Sequence, residues 1–138
     1  MTSERHSKRF SLLLVEPHTL VRSTVTSVAR SLDLVDIHET PSVDAAENLL
    51  RARAFDGFVI ALDDDQAGLG LINRIRNGST FSPATAAVAI TTERVDQASI
   101  ETLRQLEVKR VLLKPFKVKT ILETITAFVQ APATAKHP

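Results

Sequence analysis

No cysteine occurs in the 138 residues, which excludes disulfides, thiolate metal sites and cysteine nucleophiles together and fits a reducing compartment. Tryptophan and tyrosine are also absent, and aromatic residues make up 4% of the chain. Little is therefore available to stack on a flavin or another flat cofactor. No apolar run approaches the length of a membrane span, and the polar start "MTSERHSKR" does not resemble a signal peptide. Neither HExxH nor a Cys/His cluster nor a glycine-rich phosphate loop is present. A formal net charge of +1 gives no global attraction to nucleic acid or to acidic membranes. The expectation is a cytoplasmic protein of one domain, with no nucleic-acid or membrane partner.

Five short apolar segments alternate with five longer segments of helical period. "FSLLLV" (10–15), "GFVIAL" (57–62), "AAVAIT" (86–91) and "RVLL" (110–113) read as buried strands, and "LVDIHE" (34–39) alternates as a strand does. Val21, Val25, Val28 and Leu32 share one helix face, with Pro17 placed at the helix start. Ser42 reads as the N-cap of a helix over 43–53. Leu71, Ile72 and Ile75 mark a third helix, beginning near Gly68 and stopped by Asn77-Gly78. A weaker helix follows over about 95–106, and Val118, Ile121, Leu122, Ile125 and Val129 give a last one. Residues 1–9 and 131–138 read as flexible tails around a domain over 10–130.

Strand–helix alternation predicts an α/β fold, a parallel sheet covered on both faces, with its site at the carboxyl ends of the strands. Those ends carry Glu16-Pro17-His18, Thr40, Asp63-Asp64-Asp65, Thr92-Glu93 and Lys114-Pro115. Residue by residue, each has a plain alternative role: Glu16 as a surface carboxylate or helix cap, Thr92 as a cap, His18 as a surface residue. His38 has no ligand pair in sequence, and Asp63 to Asp65 can serve as a solvated loop that favours the next helix dipole. Lys114 can form a salt bridge to Glu16 or Asp63 and hold the site closed.

The segments "LLLVEPHTLVR" (12–22), "FDGFVIALD" (55–63), "ITT" (90–92) and "VLLKPF" (111–116) resemble the receiver domain of bacterial two-component response regulators over about residues 10–130. The resemblance implies a flavodoxin-like (βα)5 sandwich, with a five-stranded parallel sheet of order 2-1-3-4-5. It also implies a cis Lys114–Pro115 bond. In that family, two adjacent acids after the first strand hold Mg²⁺ and an aspartate ending the third strand accepts a phosphoryl group. A Thr or Ser and the Lys before the Pro then bind its oxygens. Here Glu16 matches the first acid, Pro17 the second, Thr92 (beside Thr91) the hydroxyl and Lys114 the lysine. The phosphoacceptor position falls on Leu62, or on Ala61 if anchored at Asp56, and Asp63 comes one residue late. Val111 stands where the family usually has an aromatic switch residue.

The resemblance with these departures implies an atypical, stand-alone pseudo-receiver in bacterial signal transduction. It would act through protein–protein interaction, with no enzymatic activity and no cofactor. Its partners would be a histidine kinase, a phosphotransferase or another signalling protein, or a second copy in a homodimer. The contact surface would include Glu101, Arg104, Gln105, Lys109, Arg110 and Val111. The alternative is a phosphorylatable receiver in a phosphorelay, using Asp63 as acceptor with Mg²⁺ held by Glu16, Asp63 and a loop carbonyl.

Overall fold

The computed structural model describes residues 9–62 and 66–130; the three aspartates 63–65 and both expected tails beyond those limits lie outside the described residues. Ten elements follow in strict alternation. The strands are β1 (Phe10–Val15), β2 (Val35–Thr40), β3 (Gly57–Ala61), β4 (Ala87–Thr92) and β5 (Arg110–Leu113). The helices are α1 (Thr19–Arg30), α2 (Val43–Leu50), α3 (Ala67–Arg76), α4 (Gln97–Gln105) and α5 (Val118–Gln130).

All pairings are parallel, in the order β2-β1-β3-β4-β5. This is the flavodoxin-like arrangement that the family resemblance implied. Side-chain alternation divides the core into two layers. Leu13, Val15, Phe58, Ile60, Val88 and Ile90 face α2, α3 and Leu103 of α4. Leu12, Leu14, Val59, Ala89 and Leu112 face α1 and α5, where Val25, Ala29, Ile121, Ile125 and Phe128 meet them. Both layers are closed to water, so the central strands read as unbroken apolar runs rather than alternating ones.

The ends of the elements correct the sequence expectations in places. Helix α1 starts at Thr19 with His18 as its cap residue, so Pro17 stands ahead of the helix rather than in it. The cause is local: the His18 N–H is taken by a Glu16 carboxylate oxygen at 2.9 Å, which holds His18 extended. Ser42 caps α2 as its residue type predicts, accepting from Ala45 N at 3.1 Å. That helix ends at Leu50, three residues short of expectation. Beyond it, Ala52 and Arg53 N–H turn back to Leu49 O, and the Arg53 guanidinium reaches across to Ser11 Oγ and His38 Nε2 at 2.9 Å each. The same guanidinium lies over the Phe55 ring. These contacts withdraw the segment from the helix and carry it into β3.

Helix α3 stops as the Asn77-Gly78 pair predicts, with Gly78 in the left-handed region at φ 80°. Glu107 follows α4 with the same handedness at φ 57°, without glycine's freedom. Its carbonyl is held by Arg76, whose guanidinium also donates to the carbonyls of Leu106, Ala84 and Ala86. One side chain thus joins the end of α3 to the approaches of β4 and β5. Burial lowers the Arg76 pKa, an effect opposed by Glu107.

Candidate functional site

Parallel register brings the strand ends together. Val15 pairs with Thr40 and Ile60, Ala61 with Thr91, and Thr92 with Leu113. Glu16, Leu62 and Lys114 each follow a strand directly and so converge at one edge of the sheet. The Lys114 N–H donates to Thr92 O and the Leu62 N–H to Thr91 O, both at 2.8 Å. Lys114–Pro115 is cis, as the resemblance implied.

Glu16 is only 1% exposed, which excludes a surface carboxylate. Its oxygens are shared between two neighbours. Lys114 Nζ stands 3.0 Å from Oε1 and 3.3 Å from Oε2. On the other side, Oε2 accepts from the His18 backbone at 2.9 Å and has His18 Nδ1 at 3.1 Å. A buried carboxylate needs a charge partner and hydrogen bonds together, and this one has both. Arg22 completes the turn by donating to Glu16 O at 2.9 Å while its Nε lies 3.4 Å from Glu39. Of the two partners offered to Lys114 by the sequence, Glu16 is the one seen; Asp63 lies outside the described residues.

His18 is the residue that sequence reasoning undervalued. Its ring is exposed, yet its backbone and ring nitrogen both face the buried carboxylate, so it is more than a surface residue. The available signal was its spacing, two residues after an acid that ends a buried strand. Arg22 and Gly68 were missed in the same way. A Cβ on Gly68 would stand 2.5 Å from a Leu62 methyl and 3.2 Å from Ala61 O. The bare helix start thus makes room for Leu62, which packs against the α2–α3 core layer. At the β3 end there is consequently an aliphatic side chain laid over Gly68.

Thr92 lies on the same sheet face as Leu62 and donates to Arg94 O at 3.1 Å. It does not cap α4; Asp96 does, accepting from Ser99 N at 2.8 Å, and these bonds lower the Asp96 pKa. Thr91 points the other way, buried, and its hydroxyl has no partner among the described residues. A groove of about 590 Å³ opens beside the ion pair, lined by His18, Leu20, Val21, Lys114, Pro115 and Phe116 among others.

The Mg²⁺ implied by the family does not fit the described residues. Pro17 offers no side-chain ligand, and the Glu16 oxygens already face a lysine ammonium and His18. No group of three His, Asp or Glu side chains that could hold a metal comes together among the described residues.

Residues 12–126 match the response regulator receiver domain family. The chain belongs to that family. This places it in two-component signalling. The receiver fold recurs in a response regulator from Thermotoga maritima, with 22% identity, TM-score 0.73, and coverage of 88% of this chain and 98% of that one. A signal receiver domain of an HD domain-containing protein from Pseudomonas fluorescens Pf-5 gives 19% identity and TM-score 0.78, covering 93% and 99%. A receiver domain protein from Methanospirillum hungatei JF-1 gives 10% and 0.79, covering 94% and 99%. No curated protein matches the sequence. No helix among the described residues is long and apolar enough to cross a membrane.

The expected partner surface is exposed throughout: Glu101, Arg104 and Gln105 on α4, Lys109 in the loop, and Arg110 and Val111 on β5.

Proposed function

We propose that this receiver domain signals by binding a partner without being phosphorylated. The observation that carries the reading is the side chain after β3. Leu62 covers the bare backbone of Gly68 and has no oxygen with which to accept a phosphoryl group. The ion pair of Glu16 with Lys114 supports it. Both groups that would meet the metal and the phosphoryl oxygens satisfy one another instead. In this reading the lysine ammonium is a resident cation, and the pocket is a structural element under the loops that present the binding surface.

The partner is a histidine kinase, a histidine phosphotransfer protein or another signalling protein that meets α4, β5 and α5. With Val111 in β5, no aromatic ring is available there to report on Thr92.

The test is an amide NMR titration with Mg²⁺ and then beryllofluoride, which mimics a bound phosphoryl group, followed by intact-mass analysis after incubation with acetyl phosphate. A folded spectrum in which Thr92, Lys114 and α4 do not shift, and no gain of a phosphoryl mass, is the expected result. Shifts at those residues, or a phosphoryl adduct mapped to Asp63, would replace this reading with a phosphorelay receiver that uses Asp63 and Mg²⁺.

A further inference from the structure

A groove of about 1020 Å³ runs between α2 and α3, lined by both helices and by the loop 78–81 that follows α3. Two features of its lining have no role in the packing of the chain itself. Phe81 is 67% exposed, the one phenylalanine so open among the described residues. Gly70 stands inside α3, where glycine costs about 1 kcal/mol relative to alanine. Its φ is not positive, and a Cβ there would meet only Arg74 Nη1, at 3.7 Å. Neither backbone conformation nor a close approach within the chain therefore requires the glycine. An apolar ring without cover and a bare patch of helix line the same groove.

The charges of the groove are of both signs. Asp44 lies in the first turn of α2 and Arg74 in the last turn of α3. Glu47 pairs with Arg74 from one helix to the other. Arg51, just past the end of α2, donates to Asn48 at 2.8 Å. Asp44 has no ion pair among the described residues.

We infer that this groove is a contact between two copies of the chain, with Phe81 of each copy seated in the groove of the other. A two-fold contact needs a surface that complements itself, and this one does so in charge and in shape. Helices α2 and α3 each lead from one parallel strand to the next, so they run in the same direction. A two-fold axis down the groove therefore sets the first turn of α2 against the last turn of α3 of the other copy. Asp44 then meets the Arg74 of that copy, and symmetry forms the pair twice. The loop after α3 falls on the helix starts of the other copy, where Ala67 and Gly70 leave room for a ring beside Val43. The two acids and two arginines of the groove cancel, so the contact opposes no net charge. A small ligand is disfavoured: the groove is at the top of the range of about 300–1,000 Å³ for such pockets, and Glu47 and Arg74 already satisfy each other.

The test is sedimentation equilibrium of the full chain from about 5 to 500 µM, with amide NMR spectra at both ends of that range. The mass is expected to rise from one copy toward two, with the shifts confined to α2, α3 and residues 78–81. Phe81→Ser should weaken the dimer by at least about tenfold, as truncation of a buried interface aromatic does. Asp44→Arg should weaken it comparably by facing Arg74 with a like charge, and added salt should weaken the wild type. Gly70→Leu fills the floor of the groove and should also dissolve the dimer. Leucine is the better helix former, so the melting temperature of this variant in dilute solution should not fall, and loss of the dimer is then separate from loss of the fold.

A mass of one copy across the whole range overturns the inference. So does a dimer whose shifts map to other elements, or one that Phe81→Ser and Gly70→Leu leave unchanged. A mass that stays at one copy while the groove amides shift on adding a bacterial extract gives the groove to another molecule, and also overturns it.

Discussion

Removing the Lys114 ammonium is the most direct perturbation of the site. Lys114→Met keeps a side chain of similar length and leaves Glu16 with only its His18 contacts. The carboxylate side chain is 2% exposed and the lysine side chain 10%, so neither charge is solvated as a surface pair would be. Truncating one partner of a buried pair costs about 3–5 kcal/mol. The hydrogen bond donated by the His18 backbone keeps this case near the lower figure, about 3 kcal/mol. Unfolding entropy of about 2 cal/mol/K per residue makes each kcal/mol worth about 3 °C at this length, so the melting temperature should fall by about 10 °C. Glu16→Gln should cost less, about 1–2 kcal/mol, because the lysine ammonium can turn toward the open groove beside it. The double variant restores part of the loss, with a coupling of at least about 1.5 kcal/mol. Urea unfolding of the four proteins measures it. Coupling under about 0.5 kcal/mol, the range of solvated pairs, would refute a buried lock between the two groups.

Three other outcomes follow from the same contacts. Arg76→Ala strands four carbonyl groups and leaves Glu107 unsupported in the left-handed region; a loss of about 2–4 kcal/mol by urea unfolding is expected. Lysine should not replace it, since a point charge cannot reach four acceptors. Asp96→Ala should lower the melting temperature at neutral pH. Because folding depresses the Asp96 pKa, the wild-type advantage is present above the ordinary aspartate range and is lost as pH falls through the lower, folded value. Wild type and variant should therefore converge in thermal melts once the pH lies below that lowered value. Finally, Leu62→Asp combined with Pro17→Asp should introduce Mg²⁺-dependent amide shifts near Glu16. Leu62→Asp alone should give weaker shifts, and failure of the pair to respond to Mg²⁺ would point to a site blocked by more than its side chains.

The strands were the most legible part of the sequence. A segment such as "RVLL" is too short for a helix, and its position before Lys-Pro fixes where it ends. Ser42 and Asn77-Gly78 gave their helix ends because capping chemistry is local. The end of α2 was not legible, since it depends on Arg53 reaching His38 and Ser11, residues brought close only by the sheet. The family segments put Glu16, Thr92 and Lys114 at strand ends, which is where the structure has them. They did not reveal His18, which matters through a bond to a carboxylate whose burial cannot be read from its own neighbours. The room made by Gly68 for Leu62 was hidden for the same reason, being a contact between a strand end and a helix start.

The bond between Glu16 and Lys114 spans 98 positions of the chain. It has a consequence for the order of assembly. Strand β1 sits inside the sheet between β2 and β3, and β5 is the edge strand beside β4. During synthesis from the amino terminus, four strands can associate while the Glu16 carboxylate still lacks its cation. Water must hydrate that carboxylate until the last strand docks. Docking of β5 therefore dries the strand ends and neutralises the buried acid in one event, which makes this last step favourable and couples the site to completion of the fold.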